Sequence, residues 1–568
     1  MRYCYMPDRE ICRRRVLSED YRDFILSGSK GFREEFSEED LCRIPLEYTF
    51  QIAFLENEGE NGRSLYRFPY YSIPKCYTLL DMEVLEQVGV SRVQSLPGLE
   101  LYGEGMLIGF IDTGIRYEDM VFRNLDGSTR IIAIWDQTIQ SGKLPEYLPY
   151  GSEYTRDMID EALRSEHPLE IVPTMDTNGH GTFVASVACG SADAENVFMG
   201  MAPEADIAVV KLKEAKQYLR DFYFIHSDAP CYQENDIMAA VYYLRMLAAG
   251  RRQPLILCIP LGTNLGGHSG ATPLASYLEV LSSASLTAIV TGGGNEADKR
   301  HHFLGTLSDE RAEDVEVSVG EGVRGFVMEI WTEIPNILAV TILSPTGDQS
   351  GRIPVRSGIG SYNFVFEKTR LNVSYRILAE NTNSELIFLQ FEQPLTGIWR
   401  IRIEAVQAGD GRFHIWLPVE EFLEGEVFFL RSNPDYTITS PGDAVSVATV
   451  SYYNGNENGV AVSSGRGYTR LERVKPDFAA PGIRVPGVNL RGQISLRSGS
   501  SVAVGITAGV EALLMEWLVR IGEIPDSMQI RNLLILGADR EEGRTYPNRE
   551  WGYGTLNLYH TFEQIRSF

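Results

Sequence analysis

The sequence is short of basic charge, cysteine and histidine, and each shortage removes a class of function. Lys and Arg number 52 against 77 Asp and Glu, a net charge of −25. No basic face can dominate such a chain, so no nucleic acid partner is expected. The seven cysteines, Cys4, Cys12, Cys42, Cys76, Cys189, Cys231 and Cys258, are odd in number and widely spaced. That pattern reads as buried free thiols rather than a disulfide framework or a metal site. Cys189 and Cys258 lie inside apolar runs; Cys4 and Cys12 could pair, but nothing in the sequence requires it. The eight histidines include no cluster with Cys, Asp or Glu at metal-ligand spacing, so no metal is expected, and His268, His301 and His302 read as loop-surface residues. No uninterrupted apolar run approaches the roughly 18 residues of a membrane span. The first residues lack the apolar stretch of a secretory signal, so cytoplasmic synthesis is expected and no membrane partner. Repeats and low-complexity tracts are missing as well.

What the chain does contain is a globular composition, with 44% hydrophobic and 23% charged residues, and length for about three to four units. Residues 1–95 mix short apolar runs such as Tyr48 to Phe54 with a helical stretch near Leu79 to Val88, which predicts a small α+β unit. Ser95–Leu96–Pro97–Gly98 then reads as an exposed linker. Residues 96–312 alternate buried strands (Met106 to Ile111, Ala205 to Leu212, Leu255 to Ile259, Ala288 to Val290) with helices such as Asn235 to Leu247. That rhythm predicts a parallel α/β sheet with right-handed crossovers. Over residues 313–420 it gives way to short alternating runs broken by turns such as Pro345–Thr346–Gly347–Asp348. Helical periodicity is lost there, so an all-β unit is expected, inserted into the α/β one. The α/β rhythm resumes over 421–568.

Four residues at the joints of this pattern carry chemistry. Ser501 stands where a small, flexible lead-in enters an apolar helix, among free N–H groups that favour developing negative charge. Asp112 ends the Met106 to Ile111 strand, at the carboxyl edge where ligands bind in open α/β sheets. His180 opens a helix between Gly179 and Gly181. Asn295 follows the Gly292–Gly293–Gly294 run after another strand. Together they supply a nucleophile, a base, a carboxylate to orient that base, and an amide donor for an oxyanion.

With these residues in this order, the sequence resembles the subtilisin-like serine proteases. Asp112–Thr113–Gly114, His180–Gly181–Thr182, Gly499–Ser500–Ser501–Val502–Ala503 and Gly294–Asn295 match that family's motifs, and Lys475 to Gly482 matches its Lys-Pro-Asp-x-Ala-Ala-Pro-Gly segment. A finer resemblance, to the Csp germination proteases of clostridia, rests on Leu107 to Ile115, Ala202–Pro203–Glu204–Ala205, Val210 to Lys213 and Leu261–Gly262–Thr263–Asn264. The β insertion between Asn295 and Ser501, where that group carries a jelly-roll, agrees with it. The resemblance implies a subtilisin-like sheet, an N-terminal prodomain over 1–95 that assists folding and is cut autocatalytically within 89–97, and an inserted jelly-roll. It implies Asp112, His180 and Ser501 as the triad and Asn295 as oxyanion donor. Pro260–Leu261–Gly262 would be the substrate's edge strand, with Gly292, Gly293 and Gly294 as an open wall of the first specificity pocket. Phe183, where the family usually has a second His, and Val504–Gly505–Ile506, where it has Ala-Pro-His, depart without removing a catalytic group.

The expectation is therefore an active serine endopeptidase without a cofactor. Its partners would be protein or peptide substrates and its own prodomain, which can stay bound. Activation of a spore cortex hydrolase would follow from the Csp resemblance, and a spore or non-classical extracellular location is compatible with it. The alternative is a catalytically silent sensor or binding module on the same fold.

Overall fold

The computed structural model describes residues 9–27, 42–46, 50–56, 65, 68–79, 88–193, 198–307, 312–356, 358–379, 381–455, 457 and 459–567. A nine-stranded sheet forms the centre, in the order Gly459–Val460, Ala448–Asn454, Thr287–Gly292, Leu255–Ile259, Leu107–Asp112, Asp206–Lys211, Ile131–Asp136 and Ser152–Thr155. Phe478–Pro481 pairs with Ala448–Asn454 as well. The inner pairings are parallel, and the outermost Gly459–Val460 and Ser152–Thr155 run antiparallel to their neighbours. Apolar runs covered on both faces by helices are what such a sheet requires; Leu107–Asp112, Leu255–Ile259 and Thr287–Gly292 are buried at every position.

Helices His180–Cys189 and Ser500–Arg520 cover one face, where Val184, Val187, Val502 and Ile506 share a core with Ile108, Phe110 and Val290. Ser500–Arg520 has the length and hydropathy to cross a membrane but lies buried inside this core. Glu234–Arg251 and Pro273–Leu281 cover the other face. On their outer side sits a three-stranded sheet of the N-terminal segment, ordered Tyr21–Ser27, Phe50–Glu56, Arg43–Pro45. Its Ile25, Ile44, Ile52 and Phe54 join Ile237, Tyr277 and Leu278 in one apolar cluster. A buried ion pair adds to that contact. Lys216 Nζ lies 2.5 Å from Asp23 Oδ1, and the other carboxylate oxygen accepts from Gln233 and Asn235.

One expectation for this segment needs correction. Cys12 and Cys42 form a disulfide with Cα atoms 5.1 Å apart, because the fold of the segment brings together residues 30 apart in sequence. Cys76, Cys189, Cys231 and Cys258 are buried and free, and Cys4 lies outside the described residues. The helical stretch near Leu79 to Val88 also lies largely outside them; at its described edge, Cys76–Leu79 is a strand.

Between Asn295 and Ser501 the chain forms two antiparallel sheets. One has six strands, ordered His302–Thr306, Arg412–Trp416, Gly325–Glu333, Ser384–Glu392, Arg370–Arg376, Gly358–Asn363. The other has five, ordered Gln349–Arg352, Ile337–Leu343, Gly397–Gln407, Ala312–Val319, Val427–Phe429. Phe326, Met328 and Ile330 of the first share a core with Val315, Val340, Trp399 and Ile401 of the second, the interior of a β sandwich. His268, His301 and His302, expected on loop surfaces, are buried with 2%, 4% and 1% exposure. They sit where this unit meets the central domain: His268 stacks on Trp416 at 4.2 Å between ring centres, and His302 bonds His414. The covering strands come from more than 100 residues away, which no local pattern reveals.

Candidate active site

The parallel sheet delivers Asp112 to its carboxyl edge at the end of a buried strand, with the side chain fully buried. The next helix on that edge begins at His180, after Gly179 at φ 86°. Gly181 must lack a side chain: a β-carbon there would stand 2.2 Å from the Gly114 carbonyl oxygen and 3.1 Å from Asp112. That close approach brings His180 Nδ1 within 2.8 Å of both Asp112 carboxylate oxygens. With Nδ1–H donated to Asp112, Nε2 is the acceptor, and it lies 2.9 Å from Ser501 Oγ. Ser501 is fully buried in the first turn of its helix, after Gly499 at φ 131°. Residues 112, 180 and 501 thus meet in one hydrogen-bonded line.

Local patterns named these residues, but the group that holds the histidine loop in place had no part in them. Asp176 is that group. Its Oδ1 accepts from Thr113 Oγ1, Asn178 N and Gly179 N, and its Oδ2 from the Thr182 amide and hydroxyl, all within 2.7–3.0 Å. Thr113 Oγ1 in turn accepts from Gly181 N at 3.0 Å. The Asp112 and His180 loops are therefore tied by one carboxylate and one hydroxyl. A carboxylate that satisfies several donors at the start of a helix is a sequence signal, since Asp176 stands four residues ahead of His180.

The nucleophile loop and the Asn295 loop are tied reciprocally. Ser500 N donates to Asn295 Oδ1 at 3.1 Å, and Gly294 N donates to Ser500 Oγ at 3.1 Å. With its oxygen so occupied, the Asn295 amide has Nδ2 left as its donor. Gly293 and Gly294 are not an open wall as expected. Their carbonyls accept from Thr439 and Gly465, and a β-carbon on Gly294 would meet Thr439 Cγ2 at 2.5 Å. The glycines admit residues 438 and 439 from beyond the β sandwich. Cys258, in the strand next to Asp112, does not compete for the proton relay: burial, and then Asp112, push its thiol up well above its ordinary value. Phe183 is fully buried, its ring against Gly487 and beneath Arg497, so it fills packing space.

The expected substrate strand carries a strand of the chain itself. Cys76–Leu79 lies between Leu261–Gly262 and Tyr232–Gln233, antiparallel to both. Leu79 stands opposite Leu261 and Thr78 opposite Gly262. The expected cut within 89–97 instead meets the helix Val90–Ser95. Val90 and Val93 are buried there, the helix packs on Leu558–Ser567, and Leu558 N donates to Val88 O. A helical, anchored segment is not extended for attack, which is the physical reason for the correction.

A carboxylate–imidazole–hydroxyl line on the carboxyl edge of a parallel sheet, with the hydroxyl opening a buried helix, defines the class of the subtilisin-like serine proteases. The sequence pattern of the subtilase family matches residues 103–227 and 408–554, on both sides of the β sandwich. Among solved structures, the CspB protease of Clostridium perfringens is similar with a TM-score of 0.76 and 28% identity, over 85% of this chain and 98% of that one. The membrane-bound transcription factor site-1 protease of Mus musculus is 31% identical over 138 residues, 23% of this chain. The subtilisin-like protease SBT6.1 of Arabidopsis thaliana is 29% identical over 141 residues. The matched part spans 13% of the length of each of these two relatives.

Proposed function

We propose that this chain is a serine endopeptidase that works through Asp112, His180 and Ser501 and cuts its own N-terminal segment. The observation that carries the reading is the 2.9 Å approach of His180 Nε2 to Ser501 Oγ while Asp112 holds Nδ1. In that arrangement the hydroxyl proton passes to Nε2 as Oγ attacks the scissile carbonyl, and Asp112 stabilises the imidazolium. The oxyanion receives Nδ2–H of Asn295 and the Ser501 amide at the helix start. Collapse breaks the C–N bond as His180 returns its proton to the leaving amine, and water then releases the acyl group by the same steps in reverse.

On this reading the prodomain is the part of residues 1–95 that precedes the cut. Its Cys76–Leu79 strand already lies in the cleft, so the cut falls in the chain between Leu79 and Val88, and the new end can remain there. Residues 313–420 brace the two halves of the catalytic domain, 96–312 and 421–568. The likeness to CspB supports a further step, proteolytic activation of a spore cortex hydrolase.

Intact mass and N-terminal sequencing of the wild type beside Ser501→Ala test the proposal. A cut wild type and an uncut variant are expected. If both stay at full length and an active-site phosphonate fails to label Ser501, the silent-sensor alternative replaces this one.

A further inference from the structure

We propose that the edge strand Gly358–Asn363 of the β sandwich is a docking site for a partner protein, where an extended acidic segment of that partner adds as a further strand. The proposal is independent of the proteolytic reading above. It rests on the backbone, the side chains and the charge of one hairpin.

Gly358–Asn363 closes the six-stranded sheet on one side and pairs with Arg370–Arg376. Each of its residues is exposed or half-exposed. The N–H and C=O groups that face away from Arg370–Arg376 have no partner among the described residues. Such a row of backbone groups is a template for another strand, and proteins ordinarily guard it with charge, proline, a bulge or a short run. Gly358–Ile359–Gly360–Ser361–Tyr362–Asn363 has no charge and no proline, and its register with Arg370–Arg376 runs unbroken. The edges of the five-stranded sheet are shorter, four residues in Gln349–Arg352 and three in Val427–Phe429.

The side chains add apolar surface. Ile359 is half-exposed, and the loop that joins the two strands carries Val365 and Phe366, 80% and 81% exposed. That loop is held in place: Phe364 N donates to the Thr369 carbonyl at 3.2 Å, and Val365 N to Asp348 Oδ2 at 2.7 Å. Turn residues are ordinarily polar, so fixed apolar side chains beside an unguarded edge mark a contact surface. The edge is also bonded to the central domain. Ser361 Oγ donates to Asn372 Oδ1 at 2.7 Å, Asn372 Nδ2 to Gln390 Oε1 at 3.1 Å, and Gln390 Nε2 to the Phe222 carbonyl at 2.6 Å.

Charge selects the occupant. From 352 to 376 the basic residues are Arg352, Arg356, Lys368, Arg370 and Arg376, against Glu367 alone, in a chain that carries −25. Arg356 precedes the strand and Lys368 follows it; both are exposed, with no acidic partner among the described residues. A second copy would set like charges together, since antiparallel pairing of identical strands brings Arg356 of one toward the Lys368 end of the other. Lipid offers the edge no backbone groups, and the net charge opposes nucleic acid. An extended segment with alternating apolar side chains and carboxylates at its ends fits the backbone, the apolar surface and the charge together.

Two synthetic peptides with the same alternating Val-Thr core test this, one with Glu-Asp at both ends and the other with Lys-Lys. Binding to the full-length Ser501→Ala chain is followed by anisotropy and by hydrogen exchange read with mass spectrometry. The acidic peptide is expected to bind, to protect the amides of residues 358–363, and to bind less tightly as salt is added. Arg356→Glu and Lys368→Glu together are expected to weaken it roughly 10-fold. Equal binding of the two peptides, protection elsewhere, or no binding overturns the proposal. Protection of 358–363 that grows with protein concentration in the absence of peptide overturns it in favour of a second copy. Capture by phosphatidylserine vesicles that is lost in Phe366→Ser, without protection by the acidic peptide, overturns it in favour of a membrane.

Discussion

His302 and His414 make the junction of the β sandwich and the central domain acid-sensitive. His302 donates Nδ1–H to the Asn433 carbonyl at 3.1 Å, and its Nε2 lies 3.0 Å from His414 Nδ1. Among the described residues, His414 Nε2 is buried without a partner. A proton added to His302 Nε2 would face the His414 N–H, and one added to His414 would be a buried donor with nothing to receive it. Trp416 stacks against both rings, and Arg412 and Arg470 add positive charge nearby. Burial, foremost, pushes His302 down to about 3 and His414 well below its ordinary value. Both folded values are depressed, so the unfolded chain takes up protons first. Stability is complete above the unfolded value near 6.5 and falls as the pH drops from there toward 3. At about 1.4 kcal/mol per pH unit, His302 alone withdraws about 2 kcal/mol between pH 7.5 and 5.0. Urea unfolding of the uncut Ser501→Ala chain at those two pH values measures the loss. His302→Gln keeps an acceptor toward His414 but takes up no proton, so its loss over the same interval should be smaller by about 2 kcal/mol. An equal loss in parent and variant would refute the reasoning.

Substitutions at two other residues probe the helix that carries the nucleophile and the loop bonded to its start. Asn295→Ala and Asn295→Asp should each lower the chemical rate by about 10²–10³, because both remove the Nδ2 donor, although Asp keeps an acceptor for Ser500 N. Phosphonate labelling rates check this, and an undiminished rate in either variant removes Asn295 from the oxyanion site. Glu511, ten residues along from Ser501, is buried with Oε2 unpartnered among the described residues, and burial, then Asp477, pushes it up to about 8. A raised value means stability that is present below the unfolded value and lost as the pH rises through 8. Glu511→Gln should therefore stabilise by roughly 3–4 kcal/mol at pH 7.5, fading below pH 5. Matching unfolding curves at pH 7.5 would sink that expectation.

The sequence is most informative where function depends on contiguous residues. Asp112, His180 and Ser501 each sit at the end of an apolar run that must become a strand or helix, and each is flanked by the glycines that close approach demands. Those constraints are local, so they are legible. The central sheet is legible for the same reason, since runs such as Leu255–Ile259 bury both faces and announce themselves by composition. What stayed hidden depends on distant partners. His302 looks like a loop residue until the Arg412–Trp416 strand pairs across it. Cys12 finds Cys42 only once the N-terminal segment folds. Asp176 is an intermediate case: four of its five hydrogen bonds come from Asn178, Gly179 and Thr182 close by in sequence, and only the Thr113 hydroxyl arrives from a distant segment. The occupant of the cleft is the strongest case, because Cys76–Leu79 is four residues long and both its partners lie more than 150 residues away.

That strand also bears on the fate of the N-terminal segment once it is cut. Leu79 and Thr78 are held by backbone pairing to Leu261 and Gly262, but Tyr77 is held by its ring and its hydroxyl, and the segment before it is held elsewhere. Lys75 Nζ donates to the Tyr70 and Ile73 carbonyls, and the Tyr70 hydroxyl donates to Glu329 of the β sandwich. Glu329 also accepts from Gly266 N of the central domain and from Trp331 Nε1. Phe24, Phe68, Tyr70 and Cys76 share an apolar cluster with Leu219 and Phe222 on one side and Val327, Trp331 and Phe388 on the other. Hydrolysis downstream of Leu79 breaks one covalent bond and none of these contacts. A cut N-terminal segment would leave the cleft only by exposing this three-way core at once, so cutting and release are separate events. An inserted β unit that touches the prodomain as well as the catalytic sheet is then a place where a partner could govern release without touching the triad.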